Sequence, residues 1–233
     1  MRFDLYLESG PQHRKTWVYV PGLPGCSTMA PTSEQAIAAA RGAILERLEF
    51  LRRHGEVLPD PEPIELVVAD HSIDGKFLGY GQGTFPSDRE PMTAHEAASR
   101  LRWAEWSREE LVAAARAQVT PLAEKPASGR SVISILSHVA ESEWAYVSST
   151  LGTVPGGSAV MKAIESSPDG PWDALAAERI ALMARLRAMT EEDLARVVER
   201  GPGKPVRTVR RMLRRLLEHE WEHVIELRSR LAA

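Results

Sequence analysis

The sequence predicts an α+β chain in which a small β-β-α-β N-terminal domain is followed by an all-α bundle of four helices. Three observations predict it. Short runs of aromatic and branched residues are confined to the first 70 positions, and a helical apolar period takes over from Thr93 to the end. Between them lies a glycine- and proline-rich stretch without a period. The expected division is a domain over 1–70, a linker over 71–92 and the bundle over 93–233.

The elements follow in order. FDLYLE and KTWVYV read as two strands, and the turn PGLPGC follows them. Thr32 or Ser33 can cap a helix whose apolar residues recur at Ile37, Ala40, Ile44, Leu48 and Leu51 and which ends at His54-Gly55. IELVVAD, after Pro63, is a third strand. In the second half, helices are expected near 93–118, 130–151, 171–189 and 205–231, separated by KPASGR, GTVPGGS and GPGKP. Four helices of such length make a bundle whose sites are built from facing interior side chains.

Composition narrows the function classes. A chain of 233 residues with 43% hydrophobic and 26% charged residues is long and apolar enough to bury a core, which argues against wholesale disorder. A formal charge of -3 gives no reason to expect a polyanionic partner, and no nucleic-acid motif is present, so nucleic acid is not an expected partner. The lone Cys26, in a Pro/Gly turn without a neighbouring histidine, reads as structural and suits a reducing compartment. No apolar run approaches the roughly 20 residues of a membrane span, and MRFDLYLESG lacks a signal peptide's apolar core. A cytoplasmic location is expected.

The informative residues are histidines. His219 and His223 stand four apart and share one helical face with Met212, Leu216 and Leu227, so both should point inward. His138 lies three after Ile135 and four before Ser142, again on an inward face. Polar rings inside a bundle need partners. One divalent ion could serve all three, as could separate carboxylates, with Glu141 and Glu222 the candidates to support the rings. His13, His54, His71 and His95 have no partner at ligand spacing and read as surface or packing residues. The run RTVRRMLRRLL, with Arg207, Arg210, Arg211, Arg214 and Arg215, reads as a solvated face paired with the preceding acidic EEDLARVVER. Trp103, Trp144 and Trp221 suit core packing, and Trp144 could line a pocket mouth.

Two resemblances extend this. VPGLPGCSTMAPTSEQAIAAARGAILERLEFLRRHGEVLPDP resembles the HicB-type antitoxin domain in its proline-glycine turn with Cys26, its helix start Thr32-x-Glu34-x-Ala36, and its closing Gly55-Glu56 and Pro59-x-Pro61. That resemblance covers about 1–70 and implies a surface that could meet a protein partner. ILSHVAESEWAYVSSTLG and the later LLEHEWEHVIELRSRL resemble the DinB-like metal-binding four-helix-bundle superfamily, with one histidine on the second helix and an H-x-x-x-H pair on the last. The likeness covers about 93–233. It implies His138, His219 and His223 as ligands to a divalent ion (Zn, Ni or Fe). Relatives that transfer low-molecular-weight thiols such as mycothiol or bacillithiol suggest such a thiol as a cofactor. The reading is a metal-dependent small-molecule transferase or hydrolase. The alternative is a non-catalytic binding or regulatory protein whose bundle dimerises. A homodimer is the expected assembly.

Overall fold

The computed structural model describes residues 1–10, 13–60, 62–73, 84–127, 129–167, 170–199, 201 and 204–231. They form two compact units, Met1–Glu90 with Val198–Val206, and Pro91–Val197 with Arg207–Ala233.

In the first unit, β1 (Arg2–Gly10) pairs antiparallel with β2 (His13–Tyr19), which pairs antiparallel with β3 (Ser27–Ala30). β4 (Glu65–Ser72) lies parallel to β1 on its other side, giving the order β3-β2-β1-β4. Alternation buries Phe3, Leu5 and Leu7 on one face of β1. Helix α1 (Ser33–Arg53) starts where Thr32 Oγ1 accepts from the Gln35 amide. Its buried stripe Ala36, Ala40, Ile44, Leu48 and Leu51 closes over β2 and β3. Cys26 is buried, as a structural reading requires. Beside it, Arg47 donates from Nε to the Pro24 carbonyl at 3.1 Å and fills the space at Gly25, whose φ of +87° and lack of a Cβ permit that approach.

The stretch expected as a linker is only partly described. β4 runs through Ser72, and 74–83 lie outside the described residues. Phe85 is buried against Tyr6 and Tyr19, with ring centroids 4.8 and 5.6 Å away. A 3-10 turn at Pro86–Arg89 follows, so 84–90 pack with the first unit. The Val206 amide donates to Thr84 Oγ1 at 3.0 Å and joins 198–206 to it.

The second unit is helical: α2 (Ala94–Arg116), α3 (Val132–Leu151), α4 (Gly157–Glu165), α5 (Trp172–Arg187), α6 (Glu191–Ala195) and α7 (Val209–Leu231). Hydroxyls set the starts. Thr93 forms a reciprocal cap with Glu96, Ser131 Oγ accepts from the Ser134 amide, and Thr208 Oγ1 accepts from the Arg211 amide. The four long helices pack in the cycle α2-α7-α3-α5. Helix α7 is buried along most of its length. Trp103 and Trp221 are core residues. Trp144 lies over Gly157, where a Cβ would come within 2.3 Å of its ring. No described helix is long and apolar enough to cross a membrane.

The arginine run departs from its reading as a solvated face. Arg214 and Arg215 are each 2% exposed and share Glu218 Oε2 at 2.7 and 3.0 Å, while Arg210 binds Glu96 at 3.0 Å. The physical reason is spacing. Glu218 sits four and three residues after the two arginines on the same helix, so a charge-assisted partner was available inside the fold. The acidic segment pairs elsewhere, Asp193 with Arg185 and Glu192 with Arg196.

Candidate metal centre

His219 and His223 project from one face of α7, and His138 meets them from α3. His219 Nε2 and His138 Nε2 are 3.1 Å apart, and one ligand atom from each ring lies within 4.8 Å of the others. Ring centroids are separated by 4.8 to 5.4 Å with interplanar angles of 73°, 90° and 89°, a propeller around one point. Imidazole nitrogens bound at about 2.0–2.1 Å to a common ion sit about 3 Å apart, so the 3.1 Å pair has the spacing of two ligands.

Electrostatics keep two of these rings neutral, the form that binds a metal. Burial, then the charges of Arg130 and His223, pushes His138 down to about 4. Burial, then His223 and Arg215, pushes His219 down to about 2. His223 is oriented by Glu226, whose Oε2 accepts from Nδ1 at 2.8 Å and leaves Nε2 as the ring's other ligand atom. That bond holds the Glu226 carboxyl below the usual range. His219 Nδ1 is buried without a hydrogen-bond partner among the described residues. Tyr146, two turns after His138, sets its ring edge-on to His219 at 6.1 Å and lies 3.5 Å from Arg215 Nη2.

A cleft of about 340 Å³ opens beside His138, lined chiefly by Arg130, Ser134, Ser137, Glu141 and Glu165. Ser137 Oγ donates to Glu165 Oε1 at 3.1 Å. Glu141 and Glu222, the expected supports of the rings, are not what holds His223. Glu141 is exposed in the cleft wall. Burial pushes the Glu222 carboxyl up against the pull of Arg215, and its Oε1 lacks a partner among the described residues. Glu226 was missed, although its place three after His223 was a usable signal. Among the described histidines of the first unit, His71 bonds Ser9 Oγ at 2.6 Å and His54 packs on Phe50.

Residues 88–227 match the DinB superfamily. The chain belongs to that superfamily. A UPF0150 protein of Thermoplasma acidophilum is 37% identical over 51 residues, which are 22% of this chain and 74% of that protein. It matches the N-terminal region, so a HicB-like domain precedes the DinB domain. No solved structure matches the chain significantly.

The DinB domain holds a second polar cluster that sequence reasoning missed. Arg108 of α2 donates to Glu220 of α7 at 2.5 Å, Glu178 of α5 at 3.1 Å and Glu143 of α3 at 2.5 Å. Arg179 of α5 donates from Nη2 to Glu143 at 3.0 Å and Glu220 at 2.7 Å. All five side chains are buried. Burial, against the pull of Arg108 and Arg179, pushes Glu143 up to about 8.

Proposed function

We propose that the DinB domain binds one divalent ion (Zn, Ni or Fe) on His138, His219 and His223 and uses it to transfer or hydrolyse small molecules, with a low-molecular-weight thiol as one candidate reactant. The observation that carries this reading is the convergence of three ligand atoms within 4.8 Å, two of them 3.1 Å apart. The donor set fits such an ion: three imidazoles, one of them anchored by a carboxylate, leave coordination positions open. The ion would supply Lewis acidity, making a water or thiol nucleophilic near neutral pH. The chain's own residues do the rest. Glu226 fixes the His223 tautomer, burial keeps His138 and His219 unprotonated, and the small cleft beside His138 admits a polar substrate next to Glu141, a candidate proton acceptor.

The test is elemental analysis of protein purified without a metal-affinity tag, beside His138→Ala and His223→Ala. About one ion per chain is expected in the parent and little in either variant, with helical circular dichroism unchanged. A parent that takes up no added Zn²⁺, Ni²⁺ or Fe²⁺ sinks the reading.

The relation to a UPF0150 protein favours a second role, in which the HicB-like domain binds a protein partner and the chain is a homodimer. A monomer by sedimentation would remove the dimer from that scheme.

A further inference from the structure

In the cycle of long helices the histidines occupy the α3-α7 edge. On the opposite edge, between α2 and α5, lies a cleft of about 580 Å³, within the range of small-molecule sites. Its walls are apolar, with Val112 and Ala113 from α2 and Leu175, Ala176 and Ile180 from α5. Trp172 also lines it, with the Arg116 guanidinium 4.6 Å above its ring.

The buried polar residues of the lining are Arg108 and Arg179, at 7% and 8% exposure. Arg108 engages a carboxylate with each of its three nitrogens. Arg179 differs: Nη2 makes both of its bonds, while Nε and Nη1 are buried without a partner among the described residues. A buried donor left unmade is costly, and native folds leave few of them. The network's unpartnered acceptors, Glu178 Oε1 and Glu220 Oε2, belong to residues outside the cleft lining. Of the rim carboxylates, Glu105 is held by Arg187 at 2.5 Å and Glu109 is exposed to screening solvent. The buried polar side chains that line this cleft are therefore guanidinium donors, set among apolar walls.

We propose that this cleft binds a small monocarboxylate with a compact apolar body. The carboxylate accepts from Arg179, Arg116 offsets its charge at the rim, and the apolar body lies against Ala113, Ala176, Ile180 and Trp172. The site shares no residue with the three histidines and stands independently of any metal reading.

Octanoate is the probe, titrated into the full chain by calorimetry beside octylamine and octanamide. Octanoate should bind one per chain, and both analogues at least about tenfold more weakly. Ala176→Glu places a carboxylate in the cleft from an exposed position on α5. It should weaken octanoate by about tenfold or more with Tm unchanged. His138→Ala should leave octanoate affinity as in the parent. Failure of octanoate to saturate would mean that water alone serves Arg179. Equal binding of octylamine, indifference to Ala176→Glu, or loss on His138→Ala would each overturn the site as well.

Discussion

Replacing Arg108 by methionine asks how strongly the buried ion cluster holds the DinB domain together. Arg108 is 7% exposed and gives Glu178 its one observed hydrogen bond, while Glu143 and Glu220 keep only Arg179 Nη2. Removing one partner of a buried pair costs about 3–5 kcal/mol because the other charge stays desolvated. Three carboxylates are affected at once, so the expected loss is at the upper end, about 5 kcal/mol. At about 3 °C per kcal/mol for a chain of this size, Tm should fall by about 15 °C in circular dichroism at 222 nm. The deficit should also depend on pH in one direction. Orphaned carboxylates have folded pKa values raised above the unfolded value, so their penalty is absent at low pH and grows as pH rises. Arg108→Met should therefore stand closer to the parent at pH 5 than at pH 8. A drop under about 3 °C at pH 8, or a deficit independent of pH, would refute the view that these carboxylates depend on Arg108.

Glu143 is pushed up to about 8, so its protonated form stabilises the parent below its unfolded pKa, and that contribution is lost as pH rises toward 8; Glu143→Gln should flatten the pH dependence of Tm across that window. Glu226→Gln should weaken metal binding about 10- to 100-fold in a chelator competition with little change in fold, since it replaces the charged acceptor that orients His223 by a neutral amide. Glu96 is held down to about 2, first by its bond from Arg210, and closes the cap with Thr93. With its side chain 37% exposed, solvent screens much of that attraction, so Glu96→Gln should cost about 1 kcal/mol at pH 7 by urea denaturation. The cost should shrink as acid protonates the parent's carboxylate between its unfolded pKa and about 2.

What could be read in the sequence was the apolar period of each element and the side chains that follow it. The stripe Met212, Leu216, His219, His223 and Leu227 is buried as its spacing implies, and the meeting with His138 follows from inward faces on two helices. β3 was missed because Ser27–Ala30 is short and follows a Pro/Gly turn; its place is fixed by backbone pairing to β2, which leaves no apolar pattern. α4 and α6, of nine and five residues, fall below the length at which a helical period stands out. The ion cluster left a fainter trace. Glu143 interrupts the repeat Ile135, Val139, Val147, Leu151, a charge where the pattern calls for an apolar residue. Its partners Arg108 and Arg179 lie 35 and 36 positions away on α2 and α5, and only the packing of the helices brings them together.

The segment from Glu218 to His223 shows why α7 can be both polar and central. Successive residues turn by about 100°, so a helix packed on several sides turns each polar group toward a different neighbour. Glu218 faces Arg214 and Arg215, Glu220 faces Arg108 and Arg179, and the two histidines face His138. Glu218 and Glu220 are thus matched by arginines one turn away or on an adjoining helix, which is the condition for burying charge without a large penalty. The histidines meet one another instead. Their rings face one another with two nitrogens 3.1 Å apart, and His219 Nδ1 has no protein partner among the described residues. Two imidazoles that burial keeps neutral converge with that of His223, and that convergence is what the proposed cation would complete.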